Sequence, residues 1–305
     1  MKAKTSLIRE AFARNAQKKD NEDATMASLS DLHQCYQEAV QNPKKEIINL
    51  LKLYNDMRSL SSLECTPPHL LREDFCGTAI LCAEWVQRHV ENEAVGIDLD
   101  PKVLDYGREH FVNGSIADRI SLHCGNVFNI DNAQIPKADL TVALNYGTCY
   151  FHSFAVLVRY MRQALASLKP GGVFICDGFG GQRSLHEKWT FRRKCTSFDY
   201  TFEQLPVDIL TNVSVCRIGF KFADGSVRKA AFEYHFRLWS VADLRDAMHQ
   251  AGFVNIQVWI SSSSEDDDLD GDAFVRIEKP NYAPKADSWN VYIAGVAPFT
   301  TVYSS

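Results

Sequence analysis

The chain has 305 residues, 46% of them hydrophobic, which is enough apolar material for a sizeable core, and its formal net charge is -5. That balance offers no basic footprint for nucleic acid, and no apolar run approaches the roughly 20 residues of a membrane-spanning helix. Nine scattered cysteines, with no Cys-x-x-Cys pair and no His pair at metal-ligand spacing, imply reduced thiols in a cytoplasmic protein without a disulfide framework or a metal.

Residues 1–68 read as a helical segment in which Leu32, Tyr36, Ala39 and Val40 precede Asn42-Pro43, and residues 69–305 as the main α/β domain. His69 to Phe75 is the first expected strand, Ala79 to Val90 a helix, and Ala94 to Leu99 the second strand. Asp100-Pro101 combines an N-cap carboxylate with proline at the first helical position, so a helix follows to about Phe111. Ile120 to Cys124 and Leu140 to Asn145 are the third and fourth strands, and Phe154 to Leu168 is a helix that Lys169-Pro170-Gly171-Gly172 stops. Val173 to Asp177 is the fifth strand. Such alternation predicts a doubly wound, Rossmann-like sheet of seven mostly parallel strands.

Beyond Asp177 the alternation breaks. Asn212 to Phe222 and Val227 to Trp239 are β-rich runs joined across Asp224-Gly225, which predicts an antiparallel insertion over about 205–239. A helix from Val241 to Gln250 ends at Gly252, and Val254 to Ile260 and Asn290 to Ala297 are the last strands. Asp266, Asp268, Asp270 and Gly271 imitate the start of a calcium loop, but the bidentate glutamate would have to fall at Ile277, so a solvated acidic loop is expected.

The chemistry concentrates at Leu71-Arg-Glu-Asp-Phe-Cys-Gly-Thr-Ala79 and at Gly96-Ile-Asp-Leu-Asp100. A strand that breaks at a small-residue turn, enters a helix and returns as a strand ending in a carboxylate is how an α/β sheet holds an adenosine ribose. A dinucleotide needs Gly-x-Gly-x-x-Gly for its pyrophosphate, and here only Gly77 is in place. Glu73 and Asp74 would set carboxylates beside the turn, which repel phosphate and suit a cationic amino-acid portion.

This segment resembles motif I of the class I S-adenosylmethionine-dependent methyltransferases, in a small-molecule subgroup whose motif reads Glu-Asp-Phe-Cys-Gly-Thr-Ala. Glu73 falls on the acidic position, and Phe75, Gly77 and Ala79 on the three glycines. The resemblance implies S-adenosyl-L-methionine as methyl donor and S-adenosyl-L-homocysteine as product. It gives Asp98 and Leu99 to the ribose and adenine, and Asn126 with Val127 to the position that reads the adenine amino group. It also puts Leu144 and Asn145 beside the methyl-transfer point. A lid helix of this class brings an aromatic side chain over the methionine moiety, for which Tyr36 is the candidate, and the insertion roofs the substrate pocket.

For a hydroxyl acceptor His152, Asp177 and His235 are the candidate proton acceptors; an amine needs none. The acceptor is expected to be a small molecule presenting nitrogen or oxygen. An NAD-dependent oxidoreductase and a non-catalytic scaffold of the same shape are the competing readings.

Overall fold

The computed structural model describes residues 24–130, 134–186, 188–261, 274–279, 282, 284 and 287–299. The acidic run from Asp266 to Gly271 lies outside them. In chain order the helices are α1 (Met26–Leu29), α2 (Leu32–Val40), α3 (Pro43–Leu60), α4 (Ile80–Arg88), α5 (Pro101–His110), α6 (Phe154–Ala166) and α7 (Val241–Ala251). The strands are β1 (Leu70–Asp74), β2 (Glu93–Asp98), β3 (Ile120–Cys124), β4 (Ala138–Ala143), β5 (Leu168–Gly180), β6 (Trp189–Lys194), β7 (Phe198–Gln204), β8 (Val213–Phe222), β9 (Val227–Arg237), β10 (Val254–Ser261), β11 (Phe274–Arg276) and β12 (Trp289–Val296).

Two compact units result, and they do not follow chain order. Of the described residues, the larger comprises those within Asn42–Trp189, Gln204–Val215 and His235–Ser305, so α3 belongs to it; the smaller comprises those within Met1–Gln41, Thr190–Glu203 and Cys216–Tyr234.

The larger unit is organised by a sheet in the order β11-β10-β12-β5-β4-β1-β2-β3. From β5 through β3 the neighbours are parallel; β12 is antiparallel to both β5 and β10, so β10 runs in the direction of β5 and the sheet is mostly parallel, as the alternation predicts. The eighth strand, β11, pairs with β10 over only three residues, too short a run to announce itself. The expected stop at Lys169-Pro170-Gly171-Gly172 lies inside β5, where the register to β4 shifts between Ala138 and Leu140. A bulge absorbs the turn residues, and Gly171 supplies the positive φ of 75° it requires.

All five residues of β1, including three charged ones, are buried. Alternation sends Leu71 and Glu73 to one face and Arg72 and Asp74 to the other. On that second face Arg72 Nε donates to Asp74 Oδ1 at 2.8 Å and Tyr160 Oη to Asp74 Oδ2 at 2.9 Å, pinning α6 to the strand. On the first face Ile47, Leu50, Leu53, Tyr54 and Met57 of α3 join Leu71, Leu140 and Val173 in one core.

In the smaller unit, Phe198, Tyr200, Ile218, Phe220 and Phe222 form a core with Ala27, Cys35 and Ala39 of α1 and α2. The expected hairpin at Asp224-Gly225 is present, with Gly225 at φ 82°, and β6 and β7 precede it to make a four-stranded sheet β6-β7-β8-β9. Asp224 Oδ2 accepts from Met26 N at 2.7 Å and Ser226 Oγ from Ala27 N at 3.0 Å, which satisfies otherwise orphaned donors at the start of α1.

Candidate active site

From β1 the chain winds outward through β2 and β3, then returns to the other side of β1 as β4 and continues to β5. The loops after β1 and β4 therefore part at a topological switch point, where open α/β sheets hold ligands. Both loops carry strained backbone.

After β1, Phe75, Gly77 and Ala79 all take left-handed φ, at 61°, 55° and 56°. These are the three positions that the sequence resemblance sets on the motif glycines, and two of them carry side chains that disfavour this conformation. Packing holds them there. The Phe75 ring lies against Tyr160, Phe151 and Tyr150 at centroid distances of 5.6, 5.9 and 6.3 Å. Gly147, after β4, leaves it room: a Cβ there would stand 2.5 Å from the ring. Gly107 of α5 does the same at the Thr78 carbonyl, which a Cβ would strike. Ala79, left-handed and without a side-chain cap, opens α4, so the first N–H groups of that helix receive no side-chain cap.

Asp98 ends β2 beside this turn. Its Oδ2 accepts from Gly77 N at 2.8 Å and its Oδ1 from Asp100 N at 3.0 Å. One lone pair on each oxygen is left for a further donor. Leu99 follows, 69% exposed, and Val127 is buried. The Asn126 amide oxygen accepts from Phe128 N at 2.9 Å in an Asx turn, which leaves its second lone pair for a ligand. Tyr150, which no motif marks, stands near enough for the Asp98 charge, after burial, to help push its phenol up to about 12.

Glu73 and Asp74 are not open carboxylates beside the turn. Asp74 is taken by Arg72 and Tyr160. Glu73 is 4% exposed, and its Oε2 accepts from Cys82 Sγ at 3.1 Å. Burial drives its pKa up to about 8, with the Asp98 and Glu46 charges adding to the rise. Asp177, near the end of β5, is likewise pushed to about 8 by burial, while Tyr146 N donating at 2.8 Å opposes the shift. Glu46 of α3 accepts from Tyr292 Oη at 2.6 Å and is raised by burial. Three carboxyl groups thus sit within electrostatic reach on one side of the sheet. No sequence motif marks Glu46; only the packing of α3 brings it there.

After β4, Leu144 is buried, and Asn145 and Tyr146 are left-handed at φ 53° and 62°. Asp177 holds this loop through the Tyr146 amide, and Tyr146 Oη donates to Asn290 Oδ1 at 2.8 Å. His152 Nε2 lies 2.7 Å from the His235 carbonyl oxygen, and Arg237 donates to the His152 carbonyl at 2.7 Å. His152 and His235 thus meet through a backbone carbonyl, with the His235 ring on an exposed residue. Tyr36 belongs to the smaller unit, where its ring packs edge-on against Phe232 at 5.2 Å.

Residues 75–172 match a family model described as "Methyltransferase domain". No curated protein matches the chain. Among solved structures, the chain is similar to DesVI of Streptomyces venezuelae, with a TM-score of 0.61 at 16% identity over 90% of this chain and 99% of that one. It is also similar to CalS10, described as an amino pentose methyltransferase from Micromonospora echinaspora, with a TM-score of 0.59 at 14% identity over 86% and 95% of the two chains. The sugar N-methyltransferase KedS8 of Streptoalloteichus sp. gives 0.58 at 15% identity over 88% and 93%. The likeness is one of fold, and it confirms the Rossmann-like architecture.

Proposed function

We propose that this protein is an S-adenosylmethionine-dependent methyltransferase acting on a nitrogen or oxygen nucleophile of a small molecule. The observation that carries the reading is the left-handed turn at Phe75, Gly77 and Ala79 set against the Asp98 carboxylate at the switch point, within the segment that matches the methyltransferase domain. The residues present fit the cofactor: Asp98 has an acceptor lone pair left on each oxygen for ribose hydroxyls, the exposed Leu99 offers apolar surface for adenine, and Asn126 can accept from its amino group. Glu73 and Asp177 act from beneath, as acids that ionise when a cation is placed near them.

Bound S-adenosylmethionine supplies a methyl carbon on a positively charged sulfur, which leaves as a thioether when the acceptor lone pair forms the new bond. The protein's contribution is alignment and exclusion of water. Asp177 positions the Asn145-Tyr146 loop through the Tyr146 amide. With one oxygen committed to that amide, it serves as a positioning residue. For a hydroxyl acceptor we assign the base to His152, whose Nδ1 remains an acceptor when Nε2 donates to the His235 carbonyl. An amine acceptor releases its proton to solvent. The small-molecule assignment is supported by the acidic net charge of -5 and by structural neighbours described as sugar methyltransferases.

Calorimetry with S-adenosylmethionine and S-adenosylhomocysteine tests the reading. Both bind, and Asp98→Ala weakens both by about 1.5 to 3 kcal/mol, the value of hydrogen bonds to a charged group. Binding of neither would make the chain a non-catalytic scaffold, and unchanged affinity in the variant would remove Asp98 from the site.

A further inference from the structure

A second cluster of potential ligands lies at the opposite end of β1. His69 immediately precedes the strand, and His89 and Glu91 lie on the turn that joins α4 to β2. Ligand atoms of the three side chains all fall within 4.8 Å of one another. The two histidine rings are 6.1 Å apart between centroids, and His89 Nδ1 is 3.9 Å from Glu91 Oε2. The nineteen residues between His69 and His89 defeat any search by ligand spacing, because the β1-α4-β2 crossover is what brings them together.

We propose that His69, His89 and Glu91 form a binding site for a borderline divalent transition metal, zinc above all. Two imidazoles and one carboxylate are a ligand set that zinc takes in tetrahedral geometry, with water in the fourth position. A second observation points the same way. His69 Nδ1 is buried and has no hydrogen-bond partner, so coordination through that nitrogen removes the cost of leaving it unsatisfied.

The surroundings suit a site that closes on its ion. His69 is fixed: its N–H donates to Asp139 Oδ2 at 3.0 Å, and its carbonyl accepts from Trp85 Nε1 at 3.0 Å. Arg119 fixes the turn backbone by donating to the His89 and Asn92 carbonyls, both at 2.9 Å. His89 and Glu91 themselves are exposed, so their side chains can swing. Bonds of about 2.0 to 2.1 Å bring tetrahedral ligand atoms to about 3.4 Å from one another, a contraction that those two side chains supply. A metal there clips the α4–β2 turn to the start of β1, away from the strand ends that carry Asp98, so its effect is on stability.

The test uses the full chain with Cys65→Ser and Cys124→Ser, which removes the exposed thiols as competing ligands. Zinc binding is measured by calorimetry, and cobalt serves as an optical probe of geometry. The expected result is one zinc per chain at about pH 7.5, a raised Tm and a tetrahedral cobalt spectrum. His89→Ala and Glu91→Ala, both at exposed positions, each weaken zinc at least about tenfold, and His89→Cys restores binding because a thiolate is also a zinc ligand. Unchanged zinc affinity in His89→Ala, an octahedral cobalt spectrum, or no binding by the parent protein overturns the proposal.

Discussion

Glu73 gives the sharpest test of the buried acid cluster. Its carboxyl is enclosed between β1 and α4, bonded to the Cys82 thiol, and pushed from the ordinary glutamate value of 4.5 to about 8. The unfolded chain releases this proton near pH 4.5, whereas the folded protein keeps it to about pH 8. The folded state therefore binds more protons between those limits, and stability falls as pH rises through the window. From pH 6 to pH 8 the loss attributable to Glu73 is about 2 kcal/mol, or about 4 °C in Tm for a protein of this size. Glu73→Gln preserves shape and an oxygen that can accept from Cys82, but it cannot ionise. Melts of ligand-free protein at the two pH values measure the difference. The variant loses about 2 kcal/mol less than the parent over this interval, the remaining slope coming largely from Asp177, which titrates in the same range. Parallel curves for parent and variant would refute the enclosure of an ionisable carboxyl at this position.

Three further outcomes follow from the same geometry. Affinity for S-adenosylmethionine rises between about pH 6 and 8, by up to about tenfold per pH unit for each proton released, because a cation near Glu73 and Asp177 favours their carboxylates; the homocysteine product, without charge on sulfur, shows a shallower rise, and equal slopes in calorimetry would place the sulfur away from both acids. Tyr160→Phe leaves Asp74 Oδ2 without its partner at 2.9 Å and lowers unfolding free energy by about 1.5 to 3 kcal/mol, read from urea melts; a neutral result would mean water replaces the phenol. Ala79→Gly relieves a left-handed alanine at φ 56° and raises stability by about 1 kcal/mol, provided the turn keeps its path; a destabilised variant would show that Ala79 contributes packing that outweighs its strain.

The missing glycines of the β1 turn show where sequence reasoning reaches and where it stops. Alternating strands and helices made the sheet legible, because β1 to β5 each carry their own apolar signature and end at turn residues. The turn itself was less legible, since Phe75 and Ala79 say nothing of positive φ in isolation. The accommodation lies elsewhere: Gly147 clears space for the Phe75 ring, and Gly107 for the Thr78 carbonyl. Small residues on the facing elements do the work that glycines in the motif would otherwise do, and only the fold pairs 75 with 147 and 78 with 107. The same reason hides the acids. Glu73 alternates into the core like its neighbour Leu71, and its electrostatic partner Glu46 arrives on a helix 27 positions earlier in the chain. Side chains whose chemistry depends on enclosure by distant elements leave no local pattern, so positions such as Glu46 and His89 emerge from packing, whereas the place of Asp98, at the tip of β2, follows from the apolar run and turn residues of its own segment.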